Sequence, residues 1–303
     1  MLTNARVAAA PSAQPRLTAL RSAAGALRSN RKALAGTALL VIFVFMALAP
    51  GLIARDDPSA EIYVPRVGPS TAHLFGTTSY GQDIFAQFVY GTRASLLIAV
   101  VAGILATALS VLIGVSAAYL GGIADGVLSL ITDIFLVLPA FPLMVVIAAY
   151  SRNGSDVLIV AVLIVTGWSY GARQLRSQAL SLRNRDFLTA ARLRGDRGWS
   201  IITGEILPTM TSLIVANFLG AAVYAVLAAA GLQFVGLGNV NTQSWGTMLY
   251  WAQNNEALQA GQPLWAIAPG VGIALLGGAF ALLNYAFDEI SNPALRNARR
   301  KRG

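Results

Sequence analysis

Apolar residues run almost without interruption through six stretches of the chain. These stretches cover residues 33–54, 95–120, 127–150, 157–169, 212–236 and 265–287. A helix needs roughly 20 apolar residues to cross the hydrocarbon core of a bilayer, and all but the fourth stretch reach that length. The fourth is short, so we expect its helix to continue into the polar segment that follows. The pattern predicts an all-α polytopic membrane protein with six transmembrane helices.

The composition supports this interpretation. Charged residues make up 12 % of the chain and the mean hydropathy is +0.63, whereas soluble domains carry about 25 % charge. Cysteine is absent, which excludes disulfide scaffolds and thiolate metal sites. The first apolar stretch is too long and too far from residue 1 to be a cleaved signal peptide.

The basic residues predict the orientation in the membrane. Of the 22 basic residues, 18 lie before the first stretch, between the fourth and fifth stretches, or after the sixth. With six spans these three regions share one face, and the positive-inside rule then places both termini in the cytoplasm. We therefore attribute the net charge of +9 to membrane topology and not to nucleic-acid binding.

These features divide the chain into four parts. Residues 1–32 are expected to be a basic, disordered cytoplasmic arm, with a lipid-binding tail as the alternative. Residues 33–94 hold the first transmembrane helix and an external loop. Residues 95–290 form the membrane core with a cytoplasmic loop at 170–208, and residues 291–303 form a basic cytoplasmic tail.

Several sources of chemistry are missing. The two lysines, Lys32 and Lys301, do not end a GxxxxGK run, so the chain lacks the P-loop that holds ATP phosphates. Asp133 is the only acid inside a predicted span, whereas ion-driven transporters place ionisable groups there. The lone histidine, His73, is expected to be a turn residue, and no metal site is expected. Without a catalytic cluster, an enzyme is not expected.

The polar segment before the fifth stretch predicts a short helix. Asn184 or Asp186 is expected to cap its N-terminus, and Gly195 suits the left-handed position that ends a helix. Ala190 and Ala191 would share a face with Phe187 and allow close approach of another surface. Residues alone leave open an alternative, in which this helix lies on anionic lipid headgroups.

The same segment resembles the EAA loop of ATP-binding cassette (ABC) importer permeases. It has Thr189-Ala190-Ala191, three residues, Gly195, nine residues, and then Glu205-Ile206-Leu207-Pro208. Thr189 replaces the family's glutamate and Glu205 replaces its first isoleucine. In that family this loop forms a coupling helix that seats in the ATPase subunit. The resemblance implies a coupling role for Asp186, Phe187, Thr189, Ala190, Ala191, Arg192, Arg194, Gly195, Leu207 and Pro208.

Two other stretches resemble the C-type permease of the peptide/nickel branch. Residues 73–93, HLFGTTSYGQDIFAQFVYGTR, are similar to its H-x-x-G-T-D-x-x-G-R-D signature, with Thr78 and Gln82 in place of Asp and Arg. Residues 231–248, GLQFVGLGNVNTQSWGTM, are similar to a second signature of that branch. The likeness covers roughly residues 33–296 and implies the type I importer permease fold in a bacterial cytoplasmic membrane.

The resemblance also implies partners and cofactors. It implies a homologous B-type permease, two ABC ATPase subunits and an external substrate-binding protein, all around a bilayer-embedded core. ATP and Mg would be bound by the ATPases, and we expect no cofactor in this chain. Peptide is the expected cargo, with oligosaccharide or nickel as alternatives within the branch. An ion-driven secondary transporter or a channel is a remote alternative.

Polar and aromatic residues inside the spans are candidates for the transport pathway, because such groups are costly in lipid. The candidates are Asp133, Phe141, Met144, Asn217, Tyr224 and Gln233. Interhelical hydrogen bonding accounts for Asn217 and Tyr224 equally well, and a structural pair or a helix cap is favoured over a substrate contact for Asp133. Trp245, Tyr250 and Trp251 are expected near the external interface, as a membrane belt or a landing surface for the binding protein.

Overall fold

The computed structural model describes residues 30–150 and 155–291, and the side chains among them as far as Phe287. The N-terminal arm before Asn30, Arg152 and the basic tail after Ser291 lie outside these residues. The predictions made for those segments are therefore not tested.

In the described residues the apolar stretches are mostly helical. Its principal helices are α1 Arg31–Leu48, α2 Ile84–Leu120, α3 Gly122–Val137, α4 Ala140–Ala149, α5 Asp156–Leu182, α6 Asp186–Leu193, α7 Thr211–Phe234, α8 Trp245–Asn254 and α9 Pro263–Ser291. Five of them, α1, α2, α5, α7 and α9, are each long and apolar enough to cross a membrane, and α3 with α4 makes a sixth span if the pair is counted as one. The prediction of a polytopic helical protein is confirmed, with five or six candidate spans.

The sequence pattern suggested a single helix across the third apolar stretch, but the structure breaks it into two. Helices α3 and α4 meet at an angle of 88°. Leu138 has an extended backbone, and Pro139 stands at the start of α4 without a side-chain cap. Proline lacks an amide hydrogen and disfavours the helical conformation of the residue before it, so Pro139 ends α3 and lets α4 begin in a new direction.

Helix α2 begins well before its apolar stretch because the preceding loop prepares its first turn. The Asp83 carboxylate accepts a hydrogen bond from the amide of Ala86 at 2.7 Å, as an N-cap does. Its other oxygen lies 2.8 Å from Nδ1 of His73, so the lone histidine supports a turn. Gly76 and Gly81 of the same loop have φ of +81° and +77°. At both positions a Cβ would collide with a backbone carbonyl oxygen, from Val67 and Tyr63 respectively.

Helix α5 confirms the expectation that the short fourth stretch continues into the polar segment, since it runs on to Leu182. Helix α2 lies against α5 and α7, and α9 lies against α7 and α1. Close approach between these helices depends on small residues, as is usual in membranes. The Cβ position of Gly103 is 3.2 Å from the amide nitrogen of Ala222, and Gly114 sits against the backbone of Ala172.

Short elements connect the helices at the two ends of the bundle. Helix α6, the turn Gly198–Ile201, a π-helical turn Ile202–Ile206 and Leu207–Thr209 lie between α5 and α7. We call this the α6 end. Helix α8 lies between α7 and α9 at the opposite end, which we call the α8 end and which also carries the loop of residues 54–83.

Replacing Gly114 by alanine tests the close contact between α2 and α5. The new methyl group would collide with the Ala172 carbonyl oxygen, and overpacking of this kind costs about 1–3 kcal/mol. We expect Gly114→Ala to lower the free energy of unfolding by that amount, measured by thermal or denaturant unfolding in lipid or detergent micelles.

Gly277→Ala is the matched control, because no atom lies within 4 Å of its Cβ position. Alanine has the higher helix propensity, so this variant should keep or gain stability. Equal stability of the two variants would show that α2 and α5 are packed less closely than the structure indicates.

Candidate functional site

Helix α6 begins and ends through its backbone. Arg185 occupies the N-cap position and makes no side-chain cap, so the expectation that Asn184 or Asp186 would cap the helix is wrong. At the other end Gly195 has φ of +79°. Its amide donates to the carbonyl of Arg192 at 3.0 Å, and the amide of Asp196 donates to the carbonyl of Ala191 at 3.2 Å. These two bonds form a Schellman motif, which confirms the predicted role of Gly195 as the helix stop.

One side of α6 is buried against its own chain. Leu188 and Ala191 are both 0 % exposed. They belong to a group of buried side chains that we call the junction cluster. Its members are Val115, Ala118, Leu175, Ala179, Leu182, Leu188, Ala191, Ile201, Ile202, Ile206 and Met210. The cluster joins α6 to the ends of α2 and α5 and to the segment that leads into α7. Ala191 therefore faces the bundle and is not available to a partner surface.

The opposite side of α6 forms an exposed ridge, which we define as Asp186, Thr189, Ala190 and Leu193. Their spacing of i, i+3, i+4 and i+7 places them on one face of the helix. Leu193 is 85 % exposed, more than any other large apolar residue of this segment. Leu193 was not among the predicted coupling residues, although its position one turn after Ala190 could have indicated it. Phe187 lies at the edge of the ridge and is 37 % exposed.

Arginines fasten the ends of α6 to neighbouring segments. Arg192 donates to the carbonyl of Arg183 at 3.3 Å and lies 5.9 Å from the ring centre of Tyr119. Arg194 pairs with Asp196 at 2.8 Å and with Glu205 at 3.5 Å. Glu205 lies in the π-helical turn, so it links the end of α6 to the approach to α7. The sequence had given Glu205 no role.

The last two predicted coupling residues lie further along the same segment. Leu207 is partly buried against the junction cluster, and Pro208 is exposed beside it. Both stand in the helical turn Leu207–Thr209, one turn before α7 begins.

A cavity of about 520 Å³ opens among the spans beside the break between α3 and α4. We call it the span cavity. Residues from α3, α5, α7 and α9 line it, among them Tyr170, Gln174, Asn217, Tyr224 and Asn284. The buried Asn217 Nδ2 and Asn284 Oδ1 have no hydrogen-bond partner among the described residues. Buried polar groups are almost always satisfied, so the span cavity offers polar atoms to water or to a passing molecule.

The other predicted pathway residues lie outside the lining of the span cavity. Met144 is 1 % exposed, with its sulfur 4.0 Å from the Tyr224 hydroxyl, which itself donates to Thr166 at 3.1 Å. Phe141 is 45 % exposed and lies next to Gly231. Gln233 is 2 % exposed and accepts a hydrogen bond from Ser244 at 2.9 Å, so it helps to fix the start of α8.

Asp133 forms an ion pair with Arg173, a partner that the sequence did not identify. The Asp133 side chain is 52 % exposed and the Arg173 side chain is 60 % exposed. Asp133 lies within the third apolar stretch, and charged groups inside spans face a water-filled space or protein and not lipid. We therefore expect the side of the bundle that carries this pair to be turned away from the hydrocarbon.

A second ion pair holds α3 against α5 nearer the α6 end. Arg176 donates to both oxygens of Asp125, at 2.6 and 2.7 Å. The side chains are 33 % and 18 % exposed. Bidentate arginine–carboxylate pairs fix geometry as well as adding energy. This pair therefore holds α3 in place against α5, although α3 alone is only half of a span.

The three aromatic residues predicted for the external interface lie at the α8 end with different exposures. Trp245 is 0 % exposed, its Nε1 donates to the carbonyl of Phe88 at 3.0 Å, and it stacks on the Phe88 ring. It fixes α8 to α2 and has no surface to offer a partner in this conformation. Tyr250 and Trp251 are partly buried, and Trp251 Nε1 donates to the carbonyl of Val240 at 3.0 Å.

Comparison with known proteins identifies the class. Residues 110–297 match the family described as "Binding-protein-dependent transport system inner membrane component", and the chain belongs to this family. The oligopeptide transport system permease protein OppC of Mycobacterium tuberculosis (strain ATCC 25618 / H37Rv) is 32 % identical over 211 residues, 69 % of this chain and 72 % of that protein. The dipeptide transport system permease protein DppC of Bacillus subtilis (strain 168) is 30 % identical over 288 residues, 93 % and 88 % of the two chains.

A further relative has a differently named cargo. The glutathione transport system permease protein GsiD of Pectobacterium atrosepticum is 30 % identical over 276 residues, 89 % of each chain. The resemblance to ABC importer permeases drawn from the sequence motifs is confirmed by these relatives.

The two kinds of ion pair at the α6 end predict different effects on stability. Removing the half-buried Asp125 carboxylate by Asp125→Asn leaves Arg176 without its hydrogen-bonded acid, and we expect a loss of about 1–3 kcal/mol in the free energy of unfolding. Glu205→Ile removes an exposed contact, and Arg194 keeps Asp196, so the loss should be below about 1 kcal/mol. Thermal or denaturant unfolding measures both variants. A larger loss for Glu205→Ile than for Asp125→Asn would contradict this ranking.

Proposed function

We propose that this chain is a non-catalytic permease subunit of an ABC importer for di- or oligopeptides. The names of its relatives support the peptide cargo, because permeases of oligopeptide, dipeptide and glutathione systems match this chain over most of their length. The orientation follows the positive-inside rule, with the α6 end in the cytoplasm and the α8 end outside. Both termini are then cytoplasmic.

The observation that carries the proposal is the two-sided character of α6. Its inner side, with Leu188 and Ala191, is fixed in the junction cluster, and its ridge is exposed. A leucine that is 85 % exposed beside the small Ala190 suits insertion into a cleft of a partner. We assign that cleft to an ABC ATPase, of which the importer has two, each holding ATP and Mg. The chain's own contribution is to carry ATPase motion into the spans.

The junction cluster supports this transmission. It joins α6 to α2, α5 and the approach to α7, and close-packed groups of this kind move as units. ATP binding would shift the population between two arrangements of the bundle, as a ligand does when it favours one state. The importer then opens to the outside, receives its cargo from an external binding protein and returns after hydrolysis.

The pathway is proposed to run along the side marked by the span cavity and the Asp133–Arg173 pair. This side needs a second subunit, since a single chain leaves the charged pair more than half exposed. A homologous B-type permease would cover it and supply the other half of the pathway. Asn217, Asn284 and Gln174 then present amide groups to the cargo, which suits the backbone amides of a peptide.

Substitution of Ala190 tests the coupling assignment. Ala190→Trp puts a bulky side chain on the exposed ridge, so we expect it to abolish co-purification of the ATPases and transport without changing the thermal unfolding of the chain. Ala190→Ser is the matched control and should keep both. Changing Ala191 would confound the result, because Ala191 is 0 % exposed in the junction cluster. ATPases retained by a folded Ala190→Trp chain would show that α6 is not the docking site.

Single cysteines test the pathway in a chain that has none of its own. Gln174→Cys lies on the span cavity, and we expect a water-soluble thiol reagent to modify it in the assembled importer, more slowly when peptide is present. Leu130→Cys is a control on α3, where the native leucine is 61 % exposed and has an apolar side chain. It should react far more slowly, because a thiol in lipid or in a protein contact is not ionised. Equal labelling of the two would place the water-filled path elsewhere.

A further inference from the structure

A second pocket lies at the α8 end and shares no lining residue with the span cavity. Its volume is about 450 Å³, and it is formed where the loop of residues 54–83, the segment before α8, α8 itself and the start of α9 meet. Its lining includes Glu61, Tyr80, Gln82, Trp251 and Trp265. Among the lining residues there is no lysine, arginine or histidine. The pocket therefore carries a carboxylate without a cation of its own.

The Glu61 carboxylate is held by an amide instead of a cation. Gln82 Nε2 donates to Glu61 Oε1 at 3.3 Å, and Gln82 Oε1 accepts from Gln87 Nε2 at 2.7 Å. The second bond fixes the Gln82 amide, so that its NH₂ group points to Glu61. Within the described residues no basic group lies within 4.0 Å of Glu61. A carboxylate accepts several hydrogen bonds, and this one long bond leaves most of that capacity free.

Aromatic rings form another wall of the pocket. Tyr80 and Trp251 meet edge to face, with ring centres 6.1 Å apart. Trp265 also lines the pocket but is 1 % exposed, so Tyr80 and Trp251 are the rings that a bound group can reach. Aromatic faces beside a carboxylate are the usual surroundings of a guanidinium or ammonium group, which stacks on the ring and pairs with the acid.

Further negative charge lies close to the same rim. Ser59, which lines the pocket, donates from its hydroxyl and its amide to Asp57 at 2.6 and 2.9 Å. These bonds hold the pKa of Asp57 below its ordinary value. Asp57 is therefore anionic, and it adds to the attraction of a cation towards Glu61.

Residue 82 decides whether the chain supplies its own cation to this pocket. The structure places the Gln82 side chain against Glu61. An arginine at this position would put a guanidinium group next to the carboxylate, whereas the neutral Gln82 leaves the position of a cation open.

We propose that the pocket of Glu61, Gln82, Tyr80 and Trp251 binds one guanidinium or ammonium group supplied from outside the chain. The group belongs to a basic side chain of the external binding protein or to a basic group of the cargo. The identification of these two sources rests on the proposed import function. The binding of the cation itself does not, because it depends only on this chain.

The first experiment uses the full chain in lipid nanodiscs and N-acetyl-argininamide as the probe. N-acetyl-citrullinamide is the neutral probe of nearly the same shape. We expect the arginine probe to bind at least about fivefold more tightly, since charge-assisted hydrogen bonds are roughly twice as strong as neutral ones. Saturation-transfer NMR or equilibrium dialysis measures the weak binding.

Two variants and a control locate the binding. Glu61→Gln removes the charge, and Gln82→Arg fills the pocket with the chain's own cation. Each variant should therefore weaken binding of the arginine probe at least about fivefold. Glu256→Gln changes an acid outside the pocket lining and should have no effect. Equal binding of the two probes to the wild-type chain would overturn the proposal without need of any variant. So would unchanged binding to folded Glu61→Gln. Either failure would leave the import function untouched.

The source of the cation is distinguished in the reconstituted importer. If the binding protein supplies it, Gln82→Arg weakens docking of that protein and lowers the uptake of lysine-containing and neutral peptides equally. If the cargo supplies it, docking is kept and only the uptake of lysine-containing peptides falls. If neither changes although the free chain binds the probe, no external group uses the pocket and the proposal of a supplied cation is overturned.

Discussion

The burial of Leu188 and Ala191 in the junction cluster is the contact on which the rest of the structure depends. An eight-residue helix is too short to be stable alone in water, and α6 exists because these two side chains are 0 % exposed against α2 and α5. The Schellman motif at Gly195 then turns the chain back, so that Ile201, Ile202 and Ile206 complete the same cluster. One small apolar group thus ties the exposed ridge to three spans.

A second constraint comes from two ion pairs, Asp133–Arg173 and the bidentate Asp125–Arg176, which both join α3 to α5. They hold a half-length helix whose partner α4 departs at 88°. The break opens the span cavity, and the exposed pair beside it requires a wet or protein-covered surface. The break between α3 and α4, the span cavity and the Asp133–Arg173 pair therefore belong to one arrangement. This arrangement faces the side on which a second subunit is proposed.

Much of this fold could be predicted from local chemistry. Apolar length indicated the spans, and Gly195 was identified as a helix stop because few residues other than glycine adopt positive φ at low cost. Motif spacing identified the family. The pairings across the fold could not be predicted, because Asp133 and Arg173, or Arg194 and Glu205, are brought together only by tertiary packing. The side of α6 that faces the bundle was hidden for the same reason, since Ala190 and Ala191 look alike in sequence but lie on opposite sides of the burial boundary.

We expect α6 and the end of α2 to move as one body during transport, because the junction cluster joins them. A short bifunctional thiol reagent can test this in the cysteine-free chain, with Tyr119→Cys on α2 and Arg192→Cys on α6, since the Arg192 guanidinium lies 5.9 Å from the Tyr119 ring centre. The cross-linked importer should then transport at the rate of the two singly substituted, reagent-treated controls. Loss of transport only in the cross-linked protein would show that α6 must slide on α2 and that the junction is not rigid.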